Sequence, residues 1–310
     1  MNRRGFLASS LFATSAFASS SMIAKSITPQ SRLHTVPEPS QWSNHTITSC
    51  WIGHSTILLN VFGTIILTDP VLGDTAGVHL LGQTIGIPRL AAPAIALQNI
   101  PKPDIVLLSH AHMDHTDIYT LEYLATKYPD SITCICAKNT KDIVDSMPWR
   151  TCKELDWWDS LSFGDLSISA IEVLHNGWRY PWEADRREGY KRSGRSYNGY
   201  LISSHGTNIV FGGDTAFTEA WRELRSVPID LAYMPIGAYA GFTDNHCTPE
   251  QAVHMASIIE AQVVAPIHCH TFKQSAEPMN EPMKRFQAAL NNSQHLCAWS
   301  HIGQTHSLQT

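Results

Sequence analysis

A single α/β domain of two sheets covered by helices is the fold class this sequence predicts, on three observations. Short apolar runs of strand character fall on both sides of the midpoint of the 310 residues, helical runs stand between the later ones, and no repeat, heptad or low-complexity block interrupts the series. A chain of this length buries one large core or two modest ones. With 43% hydrophobic and 16% charged residues, disordered and fibrous classes are excluded.

Taken in order, residues 1–18 read as a targeting segment. Asn2-Arg3-Arg4-Gly5-Phe6-Leu7 has the form of a twin-arginine export signal, residues 7–18 are weakly apolar, and Ala16-Phe17-Ala18 fits small-residue cleavage. The stretch is too short and too Ser-rich to anchor in a bilayer. The expectation is a periplasmic protein that meets the twin-arginine export machinery on its way. Residues 19–40 are polar and Pro-containing, a linker, and the folded domain takes 41–310.

Within the domain, β-rich runs at 46–51, 56–61 and 64–68 form a meander parted by Gly53 and Phe62-Gly63, and Asp69-Pro70 closes it. Residues 71–101 are rich in Gly, Pro and Ala without a clean period and read as a long loop. Its apolar residues Leu80, Leu81, Ile85, Ile87 and Leu90 are expected to pack over a sheet, a greasy substrate channel being the alternative. The run Ile105-Val106-Leu107-Leu108 reads as a buried strand. Helical spacing follows over 117–128, then a strand at 132–136 and a short helix at 140–146. Strands are predicted at 166–174, 200–203, 209–211, 231–234 and 263–267, and helices at 216–225, 249–259 and 281–290, the second capped by Thr248 with Pro249 in its first turn.

A formal net charge of -5 offers no basic stripe to neutralise phosphates, so a nucleic-acid partner is not expected. The exception is the short basic stretch 186–195 (Arg186, Arg187, Lys191, Arg192, Arg195), broken by Glu188 and read as a solvated loop that could attract an anionic headgroup. None of the seven cysteines forms a Cys-x-x-Cys pair, which argues against a thiolate metal site. Cys134 and Cys136, two apart on one strand, are expected as buried free thiols. Trp149, Trp157, Trp158, Trp178, Tyr180 and Trp182 concentrate aromatic surface, with packing as the expected use and an acyl chain or an interface as the alternative.

The chemistry starts at Ser109-His110-Ala111-His112-Met113-Asp114-His115, which sets three imidazoles and a carboxylate in a turn directly after a buried strand. Neutral imidazole and carboxylate suit Zn²⁺, and a turn on a rigid strand end aims alternate side chains at one point. Further ligand types stand where later apolar runs stop: His175, Asp214 and His268. Strand ends converging on one sheet edge are where such folds place their chemistry. Gly-x-Ser-x-Gly and the Gly-rich nucleotide fingerprint are both missing from the sequence, so triad hydrolase and dehydrogenase readings have no support.

His110-x-His112-x-Asp114-His115, followed in order by His175, Asp214 and His268, resembles the ligand pattern of metallo-β-lactamase-fold hydrolases. Trp51-Ile52-Gly53-His54-Ser55-Thr56, Leu67-Thr68-Asp69-Pro70, Gly212-Gly213-Asp214-Thr215, Pro235-Ile236-Gly237-Ala238-Tyr239 and Ile267-His268 with Thr271-Phe272 are similar to the branch that includes N-acylphosphatidylethanolamine-hydrolysing phospholipase D. The resemblance implies a four-layer αββα sandwich and two zinc ions sharing an activated hydroxide, with iron or manganese left open. It places His110, His112 and His175 on the first ion, Asp114, His115 and His268 on the second, and Asp214 on both. Asp114, Asp214 and His246 then form the catalytic set, with His246 also contacting substrate.

The His after the motif Asp, and Asp rather than Cys at the later position, match phosphodiesterase, lactonase and thioester-hydrolase branches rather than enzymes that open β-lactams. The implied function is a periplasmic dizinc hydrolase of a phosphodiester such as a phospholipid, with peripheral membrane contact. Two alternatives stay open: a lactonase or other carboxylic-ester hydrolase, and a metal-binding or ligand-sensing protein without turnover. Asp69 is either a partner that orients a ligand imidazole or an Asp-Pro turn. His54 is a further candidate to face the site. Gly241-Phe242-Thr243-Asp244 and Cys269-His270 depart from the relatives' pattern, which points to a different pocket wall.

Overall fold

The structure, a computed structural model, describes residues 36–188 and 194–308. The export signal expected over 1–18, and Lys191 and Arg192 of the basic stretch, lie outside the described residues.

In chain order the elements are β1 (Ile47–Gly53), β2 (Thr56–Val61), β3 (Thr64–Thr68), β4 (Thr75–Leu80), β5 (Gln83–Pro88), β6 (Ile105–Leu107), α1 (Ile118–Lys127), β7 (Thr133–Ala137), β8 (Thr151–Leu155), β9 (Ser160–Phe163), β10 (Leu166–Ile171), β11 (Gly199–Ser204), β12 (Thr207–Phe211), β13 (Leu231–Pro235), α2 (Pro249–Ile258), β14 (Val263–Ile267), α3 (Glu281–Leu290), β15 (Leu296–Cys297) and β16 (Thr305–Leu308). One sheet runs β16-β1-β2-β3-β6-β7-β8 and the other β15-β14-β13-β12-β11-β10-β9. Each has three antiparallel junctions at one end and three parallel ones at the other, so the sheets repeat one plan.

The strands read as continuous apolar runs because they are covered on both faces. In the first sheet Ile57, Leu59, Ile66 and Leu107 point toward the second sheet, while Leu58, Leu67, Val106 and Leu108 pack under Leu121, Leu124 and Ala125 of α1. The inner core continues through the second sheet to Ala252, Val253 and Ala256 of α2 and to Phe286 of α3. This layering is the αββα sandwich. The Asp117 side chain caps α1 by accepting from Thr120 N, and Thr248 with Gln251 forms a capping box on α2 behind Pro249.

Several expectations are corrected. The 71–101 loop contains the β4–β5 hairpin, closed by Leu81-Gly82 with φ of 51° and 75°, the two-residue turn also made by Phe62-Gly63. Its apolar residues do not pack over a sheet, for Leu80, Leu81 and Ile85 are exposed. The run 166–174 stops as a strand at Ile171, because Leu174 N donates to Thr215 Oγ1 and Leu174 O accepts from Ala216 N. That same pairing takes Ala216 out of the expected 216–225 helix, leaving a 3₁₀ turn at Ala220–Leu224. The 140–146 helix is a 3₁₀ turn over Lys141–Ile143. Strands β8, β9, β15 and β16 were not expected.

The basic stretch is not a simple solvated loop. Arg195 is held by Asp142 at 2.6 Å and Glu183 at 2.8 Å, and Arg186 pairs with Asp156 at 3.1 Å while lying 3.3 Å over the Trp157 ring. Those charges are committed within the fold. Cys134 and Cys136 are buried free thiols, as expected.

Candidate metal centre

The site is assembled from strand ends. His54 follows β1, Asp69 follows β3, the His110–His115 turn follows β6, Asp214 follows β12 and His268 follows β14. The chain must swerve sharply there, and it does so at left-handed residues: His54, Asp69 and His268 have φ of 52°, 34° and 59°. Such backbone costs roughly 1–2 kcal/mol per non-glycine residue and persists where surrounding contacts hold it. Gly213, at φ 57°, is required by space as well: a Cβ there would sit 2.7 Å from Ser109 Cβ.

Two sets of ligand atoms converge. In the first, His112 Nδ1 lies 2.8 Å from His110 Nε2 and 3.2 Å from His175 Nε2. In the second, Asp114 Oδ2 lies 3.2 Å from His115 Nε2 and 3.4 Å from His268 Nε2. Asp214 Oδ2 joins them, at 3.1 Å from His115 Nε2, 3.0 Å from His268 Nε2 and 3.9 Å from His175 Nε2. His54 enters the second set with its Nε2 at 2.9 Å from Asp114 Oδ2.

The remote ring nitrogens of four of these histidines are anchored, which fixes which nitrogen faces inward, whereas His268 Nδ1 has no hydrogen-bond partner among the described residues. His175 Nδ1 bonds the Asn245 carbonyl (2.8 Å), His112 Nε2 pairs with Asn176 Oδ1 (2.8 Å), His110 Nδ1 with Ser109 Oγ (2.9 Å), and His115 Nδ1 with Asp69 Oδ2 (2.7 Å). Asp69 is fully buried and also accepts from Ser109 N and Oγ, at 2.7 and 2.6 Å. It is therefore the orienting partner of His115, and the Asp-Pro turn alone does not account for it.

Electrostatics divide the sets. Burial, then the neighbouring imidazoles, lowers His110 and His175 well below the ordinary histidine range, and burial lowers His112 as well. Burial also opposes charge on His115 and His268, but the surrounding carboxylates outweigh it, led by Asp214, and raise His115 well above its usual value and His268 to about 9. Burial alone would raise Asp114 and Asp214, and the adjacent histidines instead hold both well below the carboxylate range.

Whether a metal suits these residues is decided by the atoms the fold leaves over. His115 Nε2, His268 Nε2 and Asp214 Oδ1 are buried without a hydrogen-bond partner among the described residues. An orphaned buried polar atom is costly, and a cation supplies the missing partner. Imidazole nitrogens and carboxylate oxygens are the donor set of divalent transition metals.

The beta-lactamase superfamily domain matches residues 64–269. The chain belongs to that superfamily. The chain has the metallo-β-lactamase fold of that superfamily. It is similar to an uncharacterized protein of Mycobacterium tuberculosis, 29% identical over 77% of this chain and 63% of that one. It is also similar to the mitochondrial N-acyl-phosphatidylethanolamine-hydrolyzing phospholipase D of Saccharomyces cerevisiae, 28% identical over 87% of this chain and 58% of that one. The chain thus spans about three fifths of the length of these curated relatives. A metallo hydrolase of Ignicoccus hospitalis shares the fold, with a TM-score of 0.62 at 18% identity over 86% of this chain and 99% of that one.

All seven side chains named as candidate ligands from the sequence meet at this edge. His246 reaches it too, its Nδ1 3.7 Å from Asp214 Oδ2, and at 15% side-chain exposure it is more open than the nearby histidines His175 and His268. His270 stands outside, its ring edge-on to Trp51 at 6.4 Å. Sequence reasoning missed Gln274, whose Nε2 donates to Asp114 Oδ2 at 2.6 Å, along with the anchors Ser109, Asn176 and the Asn245 carbonyl. Ser109 and Asn176 directly adjoin ligands, which is the signal that could have found them.

Proposed function

We propose that this protein is a metal-dependent hydrolase that uses two zinc ions to cleave phosphodiesters, a phospholipid being the substrate class. The observation that carries the reading is Asp214 Oδ2, placed within reach of both ligand sets. His110, His112 and His175 would hold one ion, Asp114, His115 and His268 the other, and Asp214 both. When bound, such a pair supplies a nucleophile at neutral pH and Lewis-acid stabilisation of the attacked group. The chain's own part is to hold the ligands: His54 and Gln274 fix Asp114, and Asp69 fixes His115. The phospholipid substrate is supported by the name of the yeast relative. Export to the periplasm is part of the same proposal and rests on Arg3-Arg4 and the segment behind them. Cell fractionation of the full chain tests it, and a cytoplasmic location would overturn it.

Assay of the zinc-loaded protein against bis(p-nitrophenyl) phosphate, N-acylphosphatidylethanolamine and an acyl lactone tests the chemistry. Turnover of the two phosphodiesters is expected. Faster hydrolysis of the lactone would overturn the substrate class, and metal uptake without any turnover would leave a binding protein.

His246 is lowered by burial to about 4, so it meets substrate as a neutral imidazole. We expect His246→Ala to shift the preference between the two phosphodiesters by up to about tenfold, the value of one lost hydrogen bond, with metal content unchanged. Loss of an ion from this variant would instead make His246 a ligand.

Metal uptake should also depend on pH differently at the two sets. Raised by the surrounding carboxylates, His268 to about 9 and His115 well above the ordinary histidine value, these two hold their protons more tightly in the metal-free fold, whereas the lowered His110, His112 and His175 release theirs. An ion entering the second set must displace two protons, so its affinity should rise by up to about 100-fold per pH unit between the ordinary histidine value and the raised ones. Affinity at the first set should stay flat there. Calorimetric titration across that range reads the difference, and identical slopes would contradict it.

A further inference from the structure

The β4–β5 hairpin is built inside out. Its register sets Ala76 opposite Ile87, Val78 opposite Ile85 and Leu80 opposite Gln83 on one face, with Gly77 opposite Gly86 and His79 opposite Thr84 on the other. The polar face is the half-buried one: His79 Nδ1 and Thr84 Oγ1 are 2.9 Å apart, and the His79 ring lies 5.9 Å from that of Tyr119 on α1. Toward the turn the apolar face looks out, with Leu80 61% and Ile85 72% exposed and Leu81 at the turn 93% exposed, while Ala76 at its foot is buried with Val71 and Phe272. A half-covered antiparallel ribbon ordinarily buries its apolar side, and an uncovered one is a liability unless something receives it.

We propose that this outward face is a membrane-contacting element, its Leu80-Leu81 tip entering the acyl region of a lipid surface. The inference deepens the phospholipid reading by naming how the enzyme meets its substrate, and rests on it for that purpose alone.

Composition and size favour a lipid over a protein partner. Between Asp74 and Arg89 the ribbon carries no Asp, Glu, Lys or Arg, and no aromatic residue. A stable protein interface takes about 800 Å² and 20–30 residues per side, with hydrogen bonds and aromatic or Arg anchors. This face offers Val78, Leu80, Leu81, Ile85 and Ile87, and little else. An acyl layer requires only apolar area. Among the described residues no helix is long and apolar enough to cross a membrane.

The hairpin's foot also lies beside the metal centre. Arg89 bridges to Phe272 with its guanidinium 4.8 Å from that ring, and Phe272 stands edge-on, 5.1 Å from His54, which touches Asp114. A tip seated in lipid therefore holds the site within about one strand length, roughly 20 Å, of the lipid surface.

Flotation of the full chain with phosphatidylcholine vesicles, compared with the variant L80S/L81S, tests the proposal. Both forms carry the same N-terminal segment, so the difference reads the hairpin. Each leucine withdrawn from lipid should weaken partition by roughly tenfold, and raising the salt concentration should leave wild-type binding intact. Melting temperature should be unchanged in the variant, because both side chains are exposed. Absence of wild-type flotation, equal flotation of the two forms, or binding abolished by salt would overturn the proposal. So would self-association that the variant removes without any vesicle binding, which would assign the face to a second copy of the chain. None of these readings needs turnover, so an enzyme inactive on phosphodiesters would sink the substrate reading and leave the hairpin result standing.

Discussion

Asp214→Ala is expected to remove nearly all turnover while leaving a folded protein. Its Oδ2 lies within 4 Å of inward-facing nitrogens from both sets, His175 on one side and His115 with His268 on the other. Losing a partner outside the ligand shell typically costs about 10–100-fold in metal affinity or activity, and loss of the bridging carboxylate should exceed that. The carboxylate also does most to raise His115 and His268, so its removal lets both fall toward neutrality in the metal-free protein. Metal content and turnover measured on the same preparation would separate the effects. Full activity in the variant would show the bridge assignment to be mistaken.

Asp69→Ala should show the second large effect, on metal affinity and stability together. The variant strands Ser109 N and His115 Nδ1 inside a fully buried pocket, each costing roughly 1–3 kcal/mol, and frees the His115 ring to turn. Affinity at the second set should fall about 10–100-fold. A residue serving only the Asp-Pro turn would lower the melting temperature of metal-free and metal-loaded protein alike and leave affinity untouched. Zinc titration beside thermal melting distinguishes the two.

The convergence of the seven candidate side chains was legible in the sequence because they stand at or shortly after the ends of apolar runs, and strand ends in such a sheet share one edge. The layered fold was legible for a related reason: runs such as Ile105–Leu107 and Val263–Ile267 are apolar throughout, the mark of strands covered on both faces. The hairpin was obscured by its own chemistry. Leu81-Gly82 makes the same turn as Phe62-Gly63, but the alternation around it is spaced by glycines and puts apolar residues outward, so no buried face announced a strand. The 216–225 helix failed because Ala216 N bonds Leu174 O, a partner 42 positions away that no local window contains. Gln274 escaped for the same reason: it reaches Asp114 across 160 positions, and an isolated Gln carries no motif.

Anomalous diffraction from crystals of the zinc-loaded protein tests the central claim most directly. Two peaks are predicted, one contacted by His110, His112 and His175, the other by Asp114, His115 and His268, with Asp214 touching both. A single peak, or an Asp214 that contacts one ion alone, would contradict a bridged pair as the basis of the proposed chemistry.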